Sequence, residues 1–146
     1  MDAMPNLIDL SVVIPLYNEE DNIPPLYEQL SVALNELNLD YEVIVIDDGS
    51  QDDSFNRLKT IHEKDSRWQI ISFRRNFGQT GAMAAGFEAS RGKTVITIDA
   101  DLQNDPRDIG KILDKMAEGY DIVSGWRVDR KEPFFSRRLP SITANK

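Results

Sequence analysis

Residues 41–50 read YEVIVIDDGS. Val43 to Ile46 form an unbroken β-branched apolar run, too apolar for a strand with one wet face, so the segment belongs inside a sheet covered on both sides. The two carboxylates, the glycine and the serine that follow at once are turn formers. A buried strand ending abruptly in a polar turn is the pattern of a parallel α/β sheet, provided helical periodicity flanks it.

It does, in both directions. Upstream, Leu10–Pro15 (LSVVIP) predicts a first strand. Asn22 is placed to cap the next helix, with Pro24 and Pro25 in its first turn, where missing N–H groups cost little. Ile23, Leu26, Tyr27, Leu30, Ala33, Leu34 and Leu37 then follow i, i+3, i+4, i+7 spacing and mark the face that covers the sheet. The second strand is Tyr41–Ile46. Downstream, Ser50 and Asp53 resemble a capping box for a helix reaching about His62. Trp68–Phe73 predicts a third strand, Gln79–Ser90 a third helix closed by Gly92, and Lys93–Ile98 a fourth strand. Asp105-Pro106 opens a fourth helix that stops at Gly119, and Asp121–Gly125 predicts a short fifth strand. The expected fold is an α/β/α sandwich on a mostly parallel sheet.

The 146 residues suit one domain with one core. Apolar residues at 40% and charged residues at 29% are ordinary for a globular chain. No apolar run approaches the roughly 18 residues of a membrane helix, and the N-terminus lacks the basic and apolar regions of a signal peptide. Cysteine is absent, which excludes disulfides and thiolate metal sites. Residues 1–125 carry 11 Lys and Arg against 23 Asp and Glu, a balance of −12, whereas residues 126–146 carry 6 against 2, a balance of +4. The acidic body speaks against nucleic acid as a partner. The basic end, WRVDRKEPFFSRRLPSITANK, is divided by Pro133 and Pro140 and carries Phe134, Phe135, Leu139 and Ile142 among its charges. Residues 1–125 are therefore read as a ligand-binding domain. Residues 126–146 are read as a separate basic segment, facing an anionic partner and beginning a C-terminal part that continues further.

In an open α/β sheet, ligands sit beyond the carboxyl ends of the strands. The five predicted exits are Pro15 to Glu19, Asp47 to Ser50, Arg74 to Gly78, Asp99 to Gln103, and Gly125 to Arg127. Carboxylates at two exits and arginines at two others exceed what turn chemistry alone requires. Asp99 and Asp101 are two apart, so in extended backbone they point to the same side and can converge on one hard cation, with Gln103 adding an oxygen. All-oxygen ligands suit Mg²⁺ or Mn²⁺, with phosphate and water completing the shell. Such an ion would neutralise a diphosphate leaving group. Asp47 and Asp48 can accept hydrogen bonds from a base or ribose, or else cap the next helix. Arg74, Arg75 and Arg127 match phosphate oxygens in geometry. With no cysteine and only His62, zinc sites and Ser-His-Asp triads have no basis. No glycine-rich dinucleotide or Walker sequence occurs.

Val13-Ile14-Pro15-Leu16-Tyr17-Asn18-Glu19, Val45-Ile46-Asp47-Asp48-Gly49-Ser50 and Asp99-Ala100-Asp101-Leu102-Gln103, in this order and spacing, resemble the family 2 glycosyltransferases, which have the GT-A fold. Within them the chain is similar to the polyprenyl-phosphate glycosyltransferases. Phe73 to Gln79 and Asp101 to Pro106 are closer to the bacterial undecaprenyl-phosphate glucosyltransferase branch than to the dolichol-phosphate mannose synthases. The resemblance implies that Pro15, Tyr17, Glu19, Ile46 and Asp48 surround the base and ribose. It implies that Asp99, Ala100, Asp101 and Gln103 handle metal and diphosphate, Asp101 being the catalytic carboxylate, and that Arg127 contacts phosphate. Arg137 and Ser141 match the family's acceptor-phosphate contacts. The implied reaction inverts the sugar carbon, moving a hexose from UDP-glucose, or secondarily GDP-mannose, to polyprenyl phosphate at the cytoplasmic membrane face. A family 2 enzyme with a saccharide acceptor is the first alternative. A phosphoacceptor signalling receiver is the second, but it would need its key carboxylates after the first and third strands, and the third ends in Arg74-Arg75.

Overall fold

A computed structural model of the chain describes residues 8–125. Four strands, β1 (Leu10–Leu16), β2 (Tyr41–Asp47), β3 (Trp68–Ser72) and β4 (Thr94–Thr97), alternate with four helices, α1 (Ile23–Glu36), α2 (Ser54–Lys64), α3 (Gln79–Ala89) and α4 (Asp108–Ala117). The sheet runs in the order β3-β2-β1-β4 and every pairing is parallel. Val13 lies level with Ile44 on one side and Thr97 on the other, so the first strand is central and the chain reverses its direction of travel beside it.

Strand periodicity sorts the side chains to two faces. Leu10, Val12, Ile14 and Leu16 join Tyr41, Val43 and Val45 in a large core with Leu26, Leu30 and Leu34 of α1, Leu58 and Ile61 of α2, and Ile109 of α4. Val13, Ile44 and Ile46 face the other way and meet Ala82 of α3. Helix α3 lies close because Gly86 has no side chain: a Cβ there would stand 2.3 Å from Val13 Cγ1 and 2.8 Å from Ile46 Cδ1. On this second face, at the other end of the sheet, buried Glu42 accepts from Ser11 Oγ–H at 2.7 Å and from Arg91 Nη2–H at 2.7 Å. Burial pushes its carboxyl upward, and the bonds from Ser11 and Arg91 outweigh that and hold it below its usual value.

Several expectations are corrected at element ends. Residues 121–125 form no strand: Ile122 is 87% exposed, and the segment makes no ladder with β4. The sheet therefore has four strands among the described residues. Helix α2 begins at Ser54 after Asp53, so the capping box starting at Ser50 is not made; the Ser50 N–H turns back to Asp47 Oδ1 at 3.0 Å. Asn22 precedes α1 as expected, but its side chain donates to Glu19 Oε2 at 2.6 Å instead of capping. Helix α4 starts at Asp108, because Asp105 accepts the Arg107 N–H at 2.9 Å in a turn of its own. Gly92 closes no helix. It lets the chain pass β1, since a Cβ there would meet Ser11 N at 2.5 Å. Arg127, Arg137, Ser141 and the whole segment 126–146 lie outside the described residues.

Candidate functional site

The carboxyl ends of all four strands lie along one edge of the sheet, and each exit contributes polar groups to it. The exits of β1, β2 and β3 enclose a cavity of about 360 Å³ lined by Tyr17, Asp47, Gly49, Ser50, Phe55, Ser72, Arg74 and Arg75, among others. Aromatic faces at Tyr17, Phe55 and Phe73, two guanidinium groups and a buried carboxylate form one wall system. Such a lining offers a flat heterocycle stacking surfaces and offers attached hydroxyls or phosphates polar partners. Arg75 lies over the Phe77 ring, 4.7 Å from its centroid.

Asp47 and Asp48 are both buried, at 2% and 4% exposure, yet they do different things. Asp47 accepts the Ser50 N–H at 3.0 Å and the Ser72 hydroxyl at 3.4 Å, closing the turn at the cavity wall. Asp48 continues the row of Ile44 and Ile46 toward α3. Its Oδ1 accepts the Phe77 N–H at 2.7 Å and its Oδ2 the Gly78 N–H at 3.0 Å. The carboxylate thus ties the third exit to the second, at the positive end of α3. Gly49 (φ 73°) makes the same approach possible, because a Cβ would stand 2.4 Å from the Arg75 carbonyl carbon. The sequence named Asp47 and Asp48 as ligand-binding or capping carboxylates but gave no sign of Asp48's tie to the third exit, nor of Phe55 and Ser72 as lining residues.

At the fourth exit, the ladder ends at Thr97, but the alternation of burial continues through the motif. Ile96, Ile98 and Ala100 are buried in the large core, whereas Thr97 and Asp99 are exposed and Asp101 is half-buried. Asp99 therefore lies on the side of the sheet that carries α3, and Asp101 follows in the turn. Asp99 Oδ1 lies 3.5 Å from Gln79 Nε2 in the first turn of that helix. Asp101 Oδ1 accepts the Gln103 N–H at 3.1 Å across Leu102, which takes a left-handed φ of 61°. Two carboxylates and one amide oxygen are the donor chemistry of a Mg²⁺ or Mn²⁺ site that leaves positions for phosphate and water. Among the described residues no third acid, histidine or cysteine gathers beside them, so a cation here would depend on its ligand to complete the shell.

The remaining expected residues take supporting places. Ile46 is wholly buried under α3, and Pro15 is half-buried beside Leu16. Glu19 accepts from Asn22, and its own N–H donates to Ser54 Oγ at 3.0 Å. A second cavity, about 760 Å³, lies along the edge of β4 that no described strand pairs with, between Phe87, Ile112 and Val123, and reaches Gln103. No helix among the described residues is long and apolar enough to cross a membrane.

An open parallel sheet with carboxylates at the exits beside its direction reversal defines a nucleotide-binding class of α/β protein. The family model "Glycosyl transferase family 2" matches residues 11–145, and the chain belongs to that family. It is 44% identical over 143 residues to an undecaprenyl-phosphate 4-deoxy-4-formamido-L-arabinose transferase of Pseudomonas aeruginosa, covering 97% of this chain and 42% of the relative. It is 39% identical over 140 residues to a dodecaprenyl-phosphate galacturonate synthase of Rhizobium johnstonii, covering 94% and 41%. The chain thus spans about two-fifths of the length of these relatives. Two solved structures share the fold. They are the mannosyltransferase PcManGT of Pyrobaculum calidifontis in complex with GDP-Man and Mn²⁺ (TM-score 0.59, 21% identity, 71% of this chain and 30% of that one) and S. aureus TarS 1-349 in complex with UDP-GlcNAc (TM-score 0.63, 20% identity, 86% and 39%). The architecture is the GT-A fold expected from the motifs.

Proposed function

We propose that this chain is the donor-binding part of a glycosyltransferase that moves a sugar from a nucleoside-diphosphate sugar to a polyprenyl phosphate, with inversion at the sugar carbon. The observation that carries the reading is the pairing, on one sheet edge, of an aromatic and arginine-lined cavity with the two carboxylates Asp99 and Asp101. In this reading the base and ribose occupy the cavity, bounded by Tyr17, with Pro15, Glu19, Ile46 and Asp48 supporting it. The diphosphate reaches a Mg²⁺ or Mn²⁺ ion held by Asp99, Asp101 and Gln103 beside Ala100. The ion supplies charge for the departing diphosphate, and Asp101 is the carboxylate whose loss stops the reaction. Arg127 is assigned to phosphate, and Arg137 with Ser141 to the acceptor phosphate. A phosphate acceptor suits a site short of histidine and cysteine, because it is already ionised at neutral pH and needs little help from a general base.

The lipid acceptor is favoured over a saccharide by the names of the relatives and by the +4 balance of residues 126–146, which suits the anionic surface of a cytoplasmic membrane leaflet. UDP-glucose is the donor proposed from the motifs and GDP-mannose the second choice. The two relatives are named for other sugars, a formamido-arabinose and a galacturonate, so the test spans sugar types.

The test supplies membranes carrying the full chain with labelled UDP-glucose, GDP-mannose and UDP-galacturonate, plus polyprenyl phosphate, and counts label in the lipid phase. The reading expects Mn²⁺- or Mg²⁺-dependent label from one donor. Arg137→Ala should lower lipid labelling about tenfold or more, the scale of a charged phosphate contact, while nucleotide affinity stays unchanged. Label appearing only in water-soluble saccharide would replace the lipid acceptor with a sugar.

A further inference from the structure

We propose that Asn18 is a positioning residue for the cavity: its side-chain amide fastens the turn after β1 to the turn after β2, so that Tyr17 stands at the cavity wall before a ligand arrives. The proposal rests on the reading of that cavity as the base and ribose site.

Tyr17 is 41% exposed, so burial does not fix where its ring stands. The backbone that carries it must do so. The next residue, Asn18, takes a left-handed φ of 52°, a conformation that asparagine tolerates better than most residues because its short polar side chain bonds locally. Here those bonds reach 32 and 33 residues along the chain. The Asn18 N–H donates to Ser50 Oγ at 2.9 Å, and Asn18 Oδ1 accepts the Gln51 N–H at 2.8 Å. The pairing is reciprocal, each turn giving and receiving.

It is also the first rung of a longer stitch. The Glu19 N–H donates to Ser54 Oγ at 3.0 Å, the Glu20 N–H to Asp52 Oδ2 at 3.2 Å, and the Asp53 N–H to Glu20 Oε2 at 2.9 Å. Ser54 is fully buried at the start of α2, so the far end is anchored in the core. Tyr17 and Ser50 line the same cavity, and the Gln51 N–H bond to Asn18 Oδ1, beside the backbone bond from the Asn18 N–H to Ser50, holds the span between them. A wall held in place this way spares the ligand the entropy of ordering it, which raises affinity without adding a contact.

The test titrates UDP and GDP calorimetrically into the full chain, as wild type, Asn18→Gly, Tyr17→Ala and the double variant, with thermal midpoints recorded. Glycine keeps the left-handed backbone and removes only the amide. Asn18→Gly should weaken nucleotide binding about threefold to tenfold, with the midpoint shifted by no more than about 2 °C, and in the Tyr17→Ala background it should weaken binding no further. Asn18→Asp, which keeps the accepting oxygen, should restore affinity to within about twofold of wild type. Unchanged affinity in Asn18→Gly, or an equal loss with and without the Tyr17 ring, overturns the positioning role. A wild type that binds neither nucleotide overturns the cavity reading itself, and the proposal with it.

Discussion

Asp48 joins two loops whose codons lie far apart, and it shows what a single carboxylate contributes at this site. Its two oxygens hold the amides of Phe77 and Gly78, 29 and 30 residues further along, at the amino end of α3. Asp48→Ala should take the Phe77 amide's partner, leave the Gly78 amide with Asn76 Oδ1 alone, and remove an anionic cap, at a cost of about 1–2 kcal/mol in unfolding free energy. The loosened loop carries Arg74 and Arg75, so nucleotide affinity should fall whether or not metal is present. Calorimetric titrations with and without Mn²⁺ check this, and a loss confined to the metal-containing series would place Asp48 in the cation's shell. Residue types were legible in the sequence here, because a carboxylate after an apolar strand has few roles. Partners were not, because nothing in the order of residues says which loop folds back onto Asp48, or that Gly49 admits the Arg75 backbone.

The elements were legible wherever periodicity was strong. The apolar stripe of α1 and the unbroken run of β2 came out within a residue or two, since each buries one continuous face. The ends of α2 and α4 were misplaced because local turns around Asp47 and Asp105 took the hydrogen bonds that a helix cap would have used. The fifth strand is absent: its two apolar residues are too few to fix a ladder with β4, and Ile122 stays exposed. Helix α3 is the element on which the site depends most, since it carries Phe77 and Gly78 at its start and Gln79 beside Asp99. Its seat is set by Gly86, so Gly86→Ala should push the helix off Val13 and Ile46. The expected cost is about 1–3 kcal/mol, less the few tenths to 1 kcal/mol that alanine gains in a helix, read as a lowered midpoint in chemical unfolding. A midpoint at or above wild type would mean that the sheet face yields without strain.

At the scale of the whole molecule, the body carries −12 over residues 1–125, and its stability should depend on acid in a defined direction. Burial raises the Glu42 carboxyl, but its bonds from Ser11 and Arg91 prevail and hold it below its usual value. Asp65 is held low by the Arg67 side chain. Burial also raises Asp52, and the Ser54 hydroxyl with the Ser54 and Glu20 amides more than offsets it. A carboxyl depressed in the folded state stabilises the fold above its unfolded value, near 4, and that contribution is lost as the pH falls through the folded value. The thermal midpoint should therefore be flat from about pH 6 to 8 and fall steeply below about pH 4, and Glu42→Gln should lower the plateau and shallow the fall. A midpoint that rose on acidification would assign the main pH effect to relief of the net negative charge instead. One sheet edge is proposed to bind a nucleoside diphosphate through a cation at Asp99 and Asp101. The most direct test is calorimetric titration of UDP and GDP, with and without Mn²⁺, into the wild-type chain and Asp101→Asn. Mn²⁺ should tighten binding of one nucleotide to the wild type by about tenfold or more, near 1.4 kcal/mol, and Asp101→Asn should abolish the metal's effect while the fold persists. Equal affinity in wild type and variant with Mn²⁺ present would contradict it.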